Sequence, residues 1–284
     1  IQKEEGSGIL ILQQNEINNL NLNSFEKNIL KPWFKNSDIS KWICNEETNQ
    51  FVIYLTSKDE IDENKIPNLL NHFKAFKPLL INRNVRTGRY TINNYTDFIN
   101  NKFDIPYVMI KSSFKNGKYY LLSYSRDKYV FESPKIVCPQ RSHLNTFAYT
   151  EKPWYGASDV YYIVENKKNI INLKYVLSIL NSKLIFFWLN NKCQKKGEML
   201  QLFKDPLSDI PMYYASQNIQ SKFENIAEEI INNRKQNLDT TDLEQQIDNL
   251  VYKLYELTYD EVLVVEPEFI ERMSKEEYEG LKVE

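Results

Sequence analysis

The chain has 284 residues, 42% of them hydrophobic and 13% aromatic, with 36 Lys/Arg against 38 Asp/Glu and only 7 Gly. This composition excludes a disordered or fibrous chain and leaves enough apolar area for a sizeable core. The near-neutral total conceals a segregation: residues 1–71 hold 7 Lys/Arg against 11 Asp/Glu, 72–196 hold 21 against 7, and 197–284 hold 8 against 20. A basic middle between acidic ends is the expected footprint of a polyanionic partner.

In chain order, Gly6-Ser7-Gly8 is the one glycine-rich turn, and no strand–turn–helix fingerprint follows it, which argues against a nucleotide cofactor. A helix start is predicted at Ser24-Phe25-Glu26 and a strand over Phe51 to Leu55. Pro67 to Phe76 has helical spacing, with Leu69, Leu70, Phe73 and Phe76 on one face, and it ends near Pro78. In the basic middle, four β-rich runs are predicted: Tyr107 to Ile110, Lys118 to Leu122, Lys135 to Cys138 and Val160 to Val164. Asn116-Gly117 is a hairpin signal.

From Leu173 the apolar spacing becomes helical, through Val176, Leu177, Leu180 and Leu184. In the acidic end, Ser221-Lys222-Phe223-Glu224 and Thr241-Asp242-Leu243-Glu244 read as capping boxes in front of apolar stripes, and Thr258-Tyr259-Asp260-Glu261 starts a short third helix. Cys44, Cys138 and Cys193 are widely spaced and fit reduced thiols of a cytoplasmic protein rather than a disulfide framework or a zinc site. The longest apolar run, Leu184 to Leu189, is too short to span a bilayer, and no signal peptide opens the chain. The start at Ile1 is read as that of a fragment or ordered part of something longer.

The densest chemical patch is Arg83-Asn84-Val85-Arg86-Thr87-Gly88-Arg89-Tyr90, read as a loop. An arginine fork matches the two acceptors of guanine, a carboxamide matches adenine, and an aromatic can stack or touch a thymine methyl. Arg83, Asn84, Arg86, Arg89 and Tyr90 are therefore candidates for base readout. Candidates for contact with a nucleic-acid backbone or groove are Lys115, Lys118, Arg141, Lys152, Trp154, Tyr155, Lys195 and Lys196. The alternatives are a solvated, ion-paired loop for the arginines and a buried core ring for Trp154.

Catalytic material is scarce. His72 and His143 are the only histidines, and carboxylate–lysine sets such as Asp38 with Glu63-Asn64-Lys65, or Asp127 with Glu165-Asn166-Lys167, have spacings that chance supplies. No Asn-Pro-Pro-aromatic motif is present. No catalytic or metal site is expected in this chain.

Seven segments, in order, resemble the C-terminal specificity region of adenine-specific DNA methyltransferases and of fused restriction–modification enzymes of the TaqI-like type. They are Leu30 to Ile39, Asn71 to Arg83, Ser133-Pro134-Lys135-Ile136-Val137, Ala157 to Ile163, Leu173 to Lys183 with its Leu-Asn-Ser-Lys end, Asp209-Ile210-Pro211-Met212, and Ile247 to Thr258. The resemblance implies a target recognition module that reads duplex DNA beside an N-terminal methyltransferase domain of the same parent chain. That domain would flip and methylate adenine with S-adenosylmethionine. A parent that also cuts would need Mg. Neither catalytic part is in this chain, which holds no cofactor of its own.

The expectation is an α+β fold: a sheet-based target recognition domain with basic loops over 1–196, braced by a helical lobe over 197–284, in the bacterial cytoplasm. Two rivals remain, a protein-interaction or assembly subunit working through the acidic helices, and an RNA-binding module.

Overall fold

The computed structural model describes residues 8–77, 80, 86–87, 90–91, 118–122, 125–165 and 171–283. It is 47% helical and 16% strand, with several small sheets, and the fold is α+β as expected. Two compact units divide the chain: Ile1–Trp33 with Glu47–Asp127, and Phe34–Glu46 with Lys128–Glu284. Among the described residues no helix is long and apolar enough to cross a membrane.

In the first unit, β1 (Ile11–Gln13) and β2 (Leu30–Phe34) flank β3 (Gln50–Ile53), all antiparallel. Helices α1 (Gln14–Asn19), α2 (Ser24–Ile29) and α3 (Pro67–Ala75) accompany them. The predicted helix over Pro67 to Phe76 is present and its proline is the first helical residue, where no amide is needed. Glu26 explains how two helix starts hold together. Its buried carboxylate accepts from Asn23 N of its own cap, from Asn68 Nδ2 and from Leu69 N at 2.8–3.0 Å, so it serves α2 and α3 at once.

The run Lys118 to Leu122 is not the expected strand. Leu121 N closes a turn on Lys118 O, and Leu122 N donates to Leu55 O at 2.8 Å. Tyr120 and Leu121 are buried, with Tyr120 stacked on Phe73 and donating to Glu63 Oε1 at 2.8 Å. Consecutive apolar residues here fill a core pocket rather than one face of a sheet. A two-stranded ladder pairs β4 (Arg86–Thr87) with β5 (Tyr90–Thr91). The predicted strand Tyr107 to Ile110 and the Asn116-Gly117 turn lie outside the described residues.

In the second unit, α4 (Lys128–Glu132) leads into β6 (Lys135–Pro139), the centre of an antiparallel sheet between β10 (Val160–Val164) and β8 (Ala148–Thr150). Every residue of β6 is buried, as the apolar run Ile136-Val137-Cys138 predicts. The segment Phe34–Glu46 threads into this unit, stacking Phe34 on Trp154 at 4.8 Å and burying Trp42 at a positive φ of 78°. A smaller sheet joins β11 (Lys195–Lys196), β12 (Met199–Gln201) and β7 (Arg141–Ser142). A short strand, β9 (Tyr155–Gly156), is buried.

Helices α5 (Leu173–Asn181) and α6 (Lys183–Lys192) divide at Ser182, whose hydroxyl caps α6, so the single apolar period makes two helices. After α7 (Lys204–Ser208) come α8 (Gln217–Lys235) and α9 (Thr241–Leu254), whose buried Phe223, Ile230, Ile247, Val251 and Leu254 join α5 and α6 in one core. Ser221 lies inside α8 and is not its cap; the helix starts five residues earlier, after Ser216. The cap of α9 is Thr240 rather than Thr241. In both places the boundary differs while the apolar stripe stays where it was read. The third box holds as read: Thr258 and Glu261 cap each other at the start of α10 (Tyr259–Val265). Two short helices, α11 (Phe269–Arg272) and α12 (Lys275–Gly280), finish the unit around Tyr252, Phe269 and Tyr278.

Candidate nucleic-acid interface

The structure brings Arg141 into one sheet with Lys195 and Lys196, predicted contact residues more than fifty positions further along the sequence. In the β11–β12–β7 sheet, Lys195 stands opposite Leu200, Lys196 opposite Met199, Leu200 opposite Ser142, and Gln201 opposite Arg141. Opposed residues of an antiparallel pair share a face, and successive residues alternate. Leu200 is buried, so Lys196, Met199, Gln201 and Arg141 occupy the other, outward face. Arg141, Lys195 and Lys196 are exposed, and among the described residues none of their cationic groups makes an ion pair.

The scaffold fixes this sheet from behind through the Leu-Asn-Ser-Lys segment. Asn181 accepts from Phe147 N at 3.2 Å and donates to Phe147 O at 3.0 Å, pairing with the backbone as a strand would. Asn145 Nδ2 donates to the carbonyls of Leu180 and Ser182 at 2.7 and 2.9 Å. The loop between β7 and β8 is thereby pinned to the α5–α6 corner, which sets where Arg141 stands. Lys183 continues the tie: its N–H donates to buried Asp248 at 2.8 Å, and its ammonium reaches Glu266 at 2.5 Å.

Lys152 is tethered. Its ammonium lies 3.3 Å from Glu46, which also takes Thr150 Oγ1 at 2.8 Å and Lys235 at 3.3 Å. Partial burial would raise the Glu46 carboxyl, but these donors outweigh it and hold it below the ordinary range. The Lys152 carbonyl accepts from Lys135 Nζ at 2.7 Å. Lys135, the lysine of the Pro-Lys-Ile segment, is buried, and desolvation lowers it to about 8 while Cys44, Glu46 and Glu132 pull it up.

Trp154 and Tyr155 are corrected. Both rings are fully buried. Trp154 stacks on Phe34 and donates Nε1 to Asn45 O at 2.9 Å; Tyr155 stacks on Phe131 and donates to Glu132 at 2.7 Å. They are core, because a large ring with one satisfied polar atom is stabilised more by burial than by a wet face. Lys118 is half-buried, and its carbonyl accepts Leu121 N to close the turn.

Arg86 and Tyr90 fall on β4 and β5, so this part of the arginine-rich stretch is ladder rather than loop. Arg83, Asn84, Arg89 and Lys115 lie outside the described residues. Among the described residues no group of His, Cys, Asp and Glu could hold a metal ion.

Sequence reasoning missed Gln194 and Gln201, which share this sheet edge: Gln201 N donates to Gln194 O at 2.9 Å. Only strand pairing could have found them, since a lone glutamine carries no signal.

The fold is mixed, and a small sheet presents Arg141 and Lys196 on its outward face. Residues 77–212 match the family model described as the TaqI-like C-terminal specificity domain, and the resemblance read from the sequence is shown for that stretch. The match ends at Met212, the last residue of the Ile-Pro segment. The chain is 26% identical over 157 residues to the type II methyltransferase M.HindII of Haemophilus influenzae, covering 54% of this chain and 26% of that protein. It is 24% identical over 162 residues to the type II methyltransferase M.HincII of Haemophilus influenzae, covering 56% and 29%. The matched stretch thus spans under a third of the curated relatives' length. The structure of the type IIG restriction endonuclease BpuSI aligns with 80% of this chain and 26% of its own, at 13% identity and a TM-score of 0.40, too slight a likeness to argue from.

Proposed function

We infer that this chain is the DNA-reading part of a restriction–modification enzyme: it binds duplex DNA by sequence and delivers it to an adenine-specific methyltransferase domain of the same parent chain. The observation that carries this reading is the coincidence of the specificity-family match, 77–212, with the segment of 21 Lys/Arg against 7 Asp/Glu, 72–196. The similarity to two type II methyltransferases supports a methylating parent, with S-adenosylmethionine as its cofactor. In this proposal residues 1–196 carry the specificity and 197–284 brace it, in the bacterial cytoplasm where duplex DNA is at hand.

Phosphates supply affinity that weakens with salt, and base edges supply choice. Arg141, Lys195 and Lys196 suit the phosphates. Arg83, Asn84, Arg86, Arg89 and Tyr90 remain the candidates for base readout, and Lys115, Lys118 and Lys152 for flanking contacts. The test is retention on immobilised duplex DNA across a salt series, with duplex RNA as the comparison. A log–log salt slope of several units on DNA and a markedly weaker hold on RNA are expected. Equal retention on both would sink the reading in favour of an RNA module, and no retention on either would favour an assembly subunit.

A further inference from the structure

The β11–β12 hairpin is closed by the two residues Gly197-Glu198, since Lys196 and Met199 are its last pair. Gly197 has φ +63°, and Glu198 is not among the described residues of positive φ, the pattern of a type II′ turn with glycine first. Nothing lies within 4 Å of where a Cβ would stand on Gly197, so the tip projects freely. A two-stranded ribbon of this width fits the major groove of B-DNA. Beside it lies a cavity of about 580 Å3, lined among others by Trp188, Lys192, Gln194, Gln201, Phe203 and Asp209.

The chemistry of that cavity is selective. Among the described residues the carboxamides of Gln194 and Gln201 have no hydrogen-bond partner, although both line one space and their backbones are bonded to each other. A carboxamide offers one acceptor and two donors on one plane, which matches N6 and N7 of adenine. Asp209 repels a phosphate, so the cavity suits an uncharged edge bearing an amino group, while Trp188 and Phe203 supply apolar wall for a thymine methyl. Arg141 and Lys196, on the same outward face as Gln201, stand where they could take the charge.

We propose that the β11–β12 ribbon enters the DNA major groove, that Gln194 and Gln201 read an adenine edge there, and that Arg141 and Lys196 hold the flanking phosphates. This deepens the DNA reading above and rests on it. The ribbon adds a reader separate from the arginine-rich stretch at 83–90.

The test is selection of a motif from a randomised 24-base-pair duplex pool (roughly two helical turns) by the full 284-residue chain, and by its Gln201→Ala, Gln194→Ala and Gln201→Glu variants. Thermal unfolding of each variant serves as the check on folding. In the wild type a motif containing an A·T pair is expected. Gln201→Ala should lose about 10-fold preference at one A·T position with its salt slope unchanged, and Gln201→Glu should move that position toward cytosine, whose amino group a carboxylate accepts. If folded variants select the unchanged wild-type motif, the ribbon is not the reader, and the DNA function stands without it. Binding with no motif at all overturns base reading by any residue of the chain. Failure of the wild type to hold duplex DNA overturns this inference and the proposed function together.

Discussion

Lys152 and Lys196 carry the same charge on exposed stretches of the same compact unit, and the fold uses them differently. Lys152 sits 3.3 Å from Glu46, beside Lys235 and Thr150, and its own carbonyl is held by buried Lys135. Lys196 stands on an outward sheet face with no carboxylate within ion-pair distance among the described residues. The difference extends to other described cations of the basic segment. Lys135, Lys152, Lys174 and Lys183 are absorbed as ties within the unit, the last two by Glu228 and Glu266. Arg141, Lys195 and Lys196 are among the described cations that make no ion pair. A positive count in a sequence is therefore an upper bound on what a partner meets; the usable charge is what remains after the scaffold has paired its own.

The absorbed side of this comparison breaks most readily at Glu266. Its buried carboxylate takes Arg272 at 3.0 Å, Lys183 at 2.5 Å and the Tyr252 hydroxyl at 3.0 Å. Glu266→Ala strands the Arg272 and Lys183 cations, and a loss of about 3 kcal/mol in urea unfolding is expected. A loss below about 0.5 kcal/mol would mean that the network is solvated and ties nothing.

Asp248 sharpens the same point, being a buried acid with no ion pair. It accepts Lys183 N, and burial raises it to about 6, above the 3.8 of a free side chain, despite the pull of Lys41 and Lys183. Its neutral form is the one the fold prefers. Its contribution to stability is therefore full below about pH 4 and lost as pH rises through about 6. Asp248→Asn keeps an acceptor for Lys183 N and should be more stable than wild type by about 1–3 kcal/mol at pH 7. That gain should vanish by about pH 4; a gain independent of pH would refute the assignment. Glu244 is the contrast: burial would raise it, but Lys41 at 2.9 Å and Arg234 at 2.5 Å bring it down to about 2.

The smallest expected effect tests the opening contrast directly. Lys196→Ala should reduce the salt slope of duplex binding by about one unit, whereas Lys152→Ala should change it by a fraction of that, because Glu46 competes for the ammonium. The surface ion pair itself is worth only about 0–1 kcal/mol, so the margin is narrow. Equal slopes for the two variants would erase the distinction between tethered and free lysines.

Much of the fold was legible. The strands at Lys135 to Cys138 and Val160 to Val164 and the helical stripes at Phe223 to Ile230 and Ile247 to Leu254 stand where period and β-propensity put them. The misses have physical causes. The helix from Leu173 hides its break because Ser182 sits inside an unbroken apolar period. Lys118 to Leu122 reads as a strand because a buried turn and a buried strand share a composition. Trp154-Tyr155 beside Lys152 could read as a stacking platform only while their partners Phe34 and Phe131 were unknown.

The amino-acid sequence by itself determined the class of this protein: charge segregation and collinear motifs are properties of order along the chain, and they survive without coordinates. Tertiary structure decided which of those residues are available. Trp154 and Tyr155 read as rings for a sugar or base and are buried, and Lys152 reads as a backbone contact and is tied to Glu46. Arg141 meets Gln201 across sixty residues only because strand pairing brings them opposite each other. Burial and pairing are relations between distant segments, and local patterns cannot encode them.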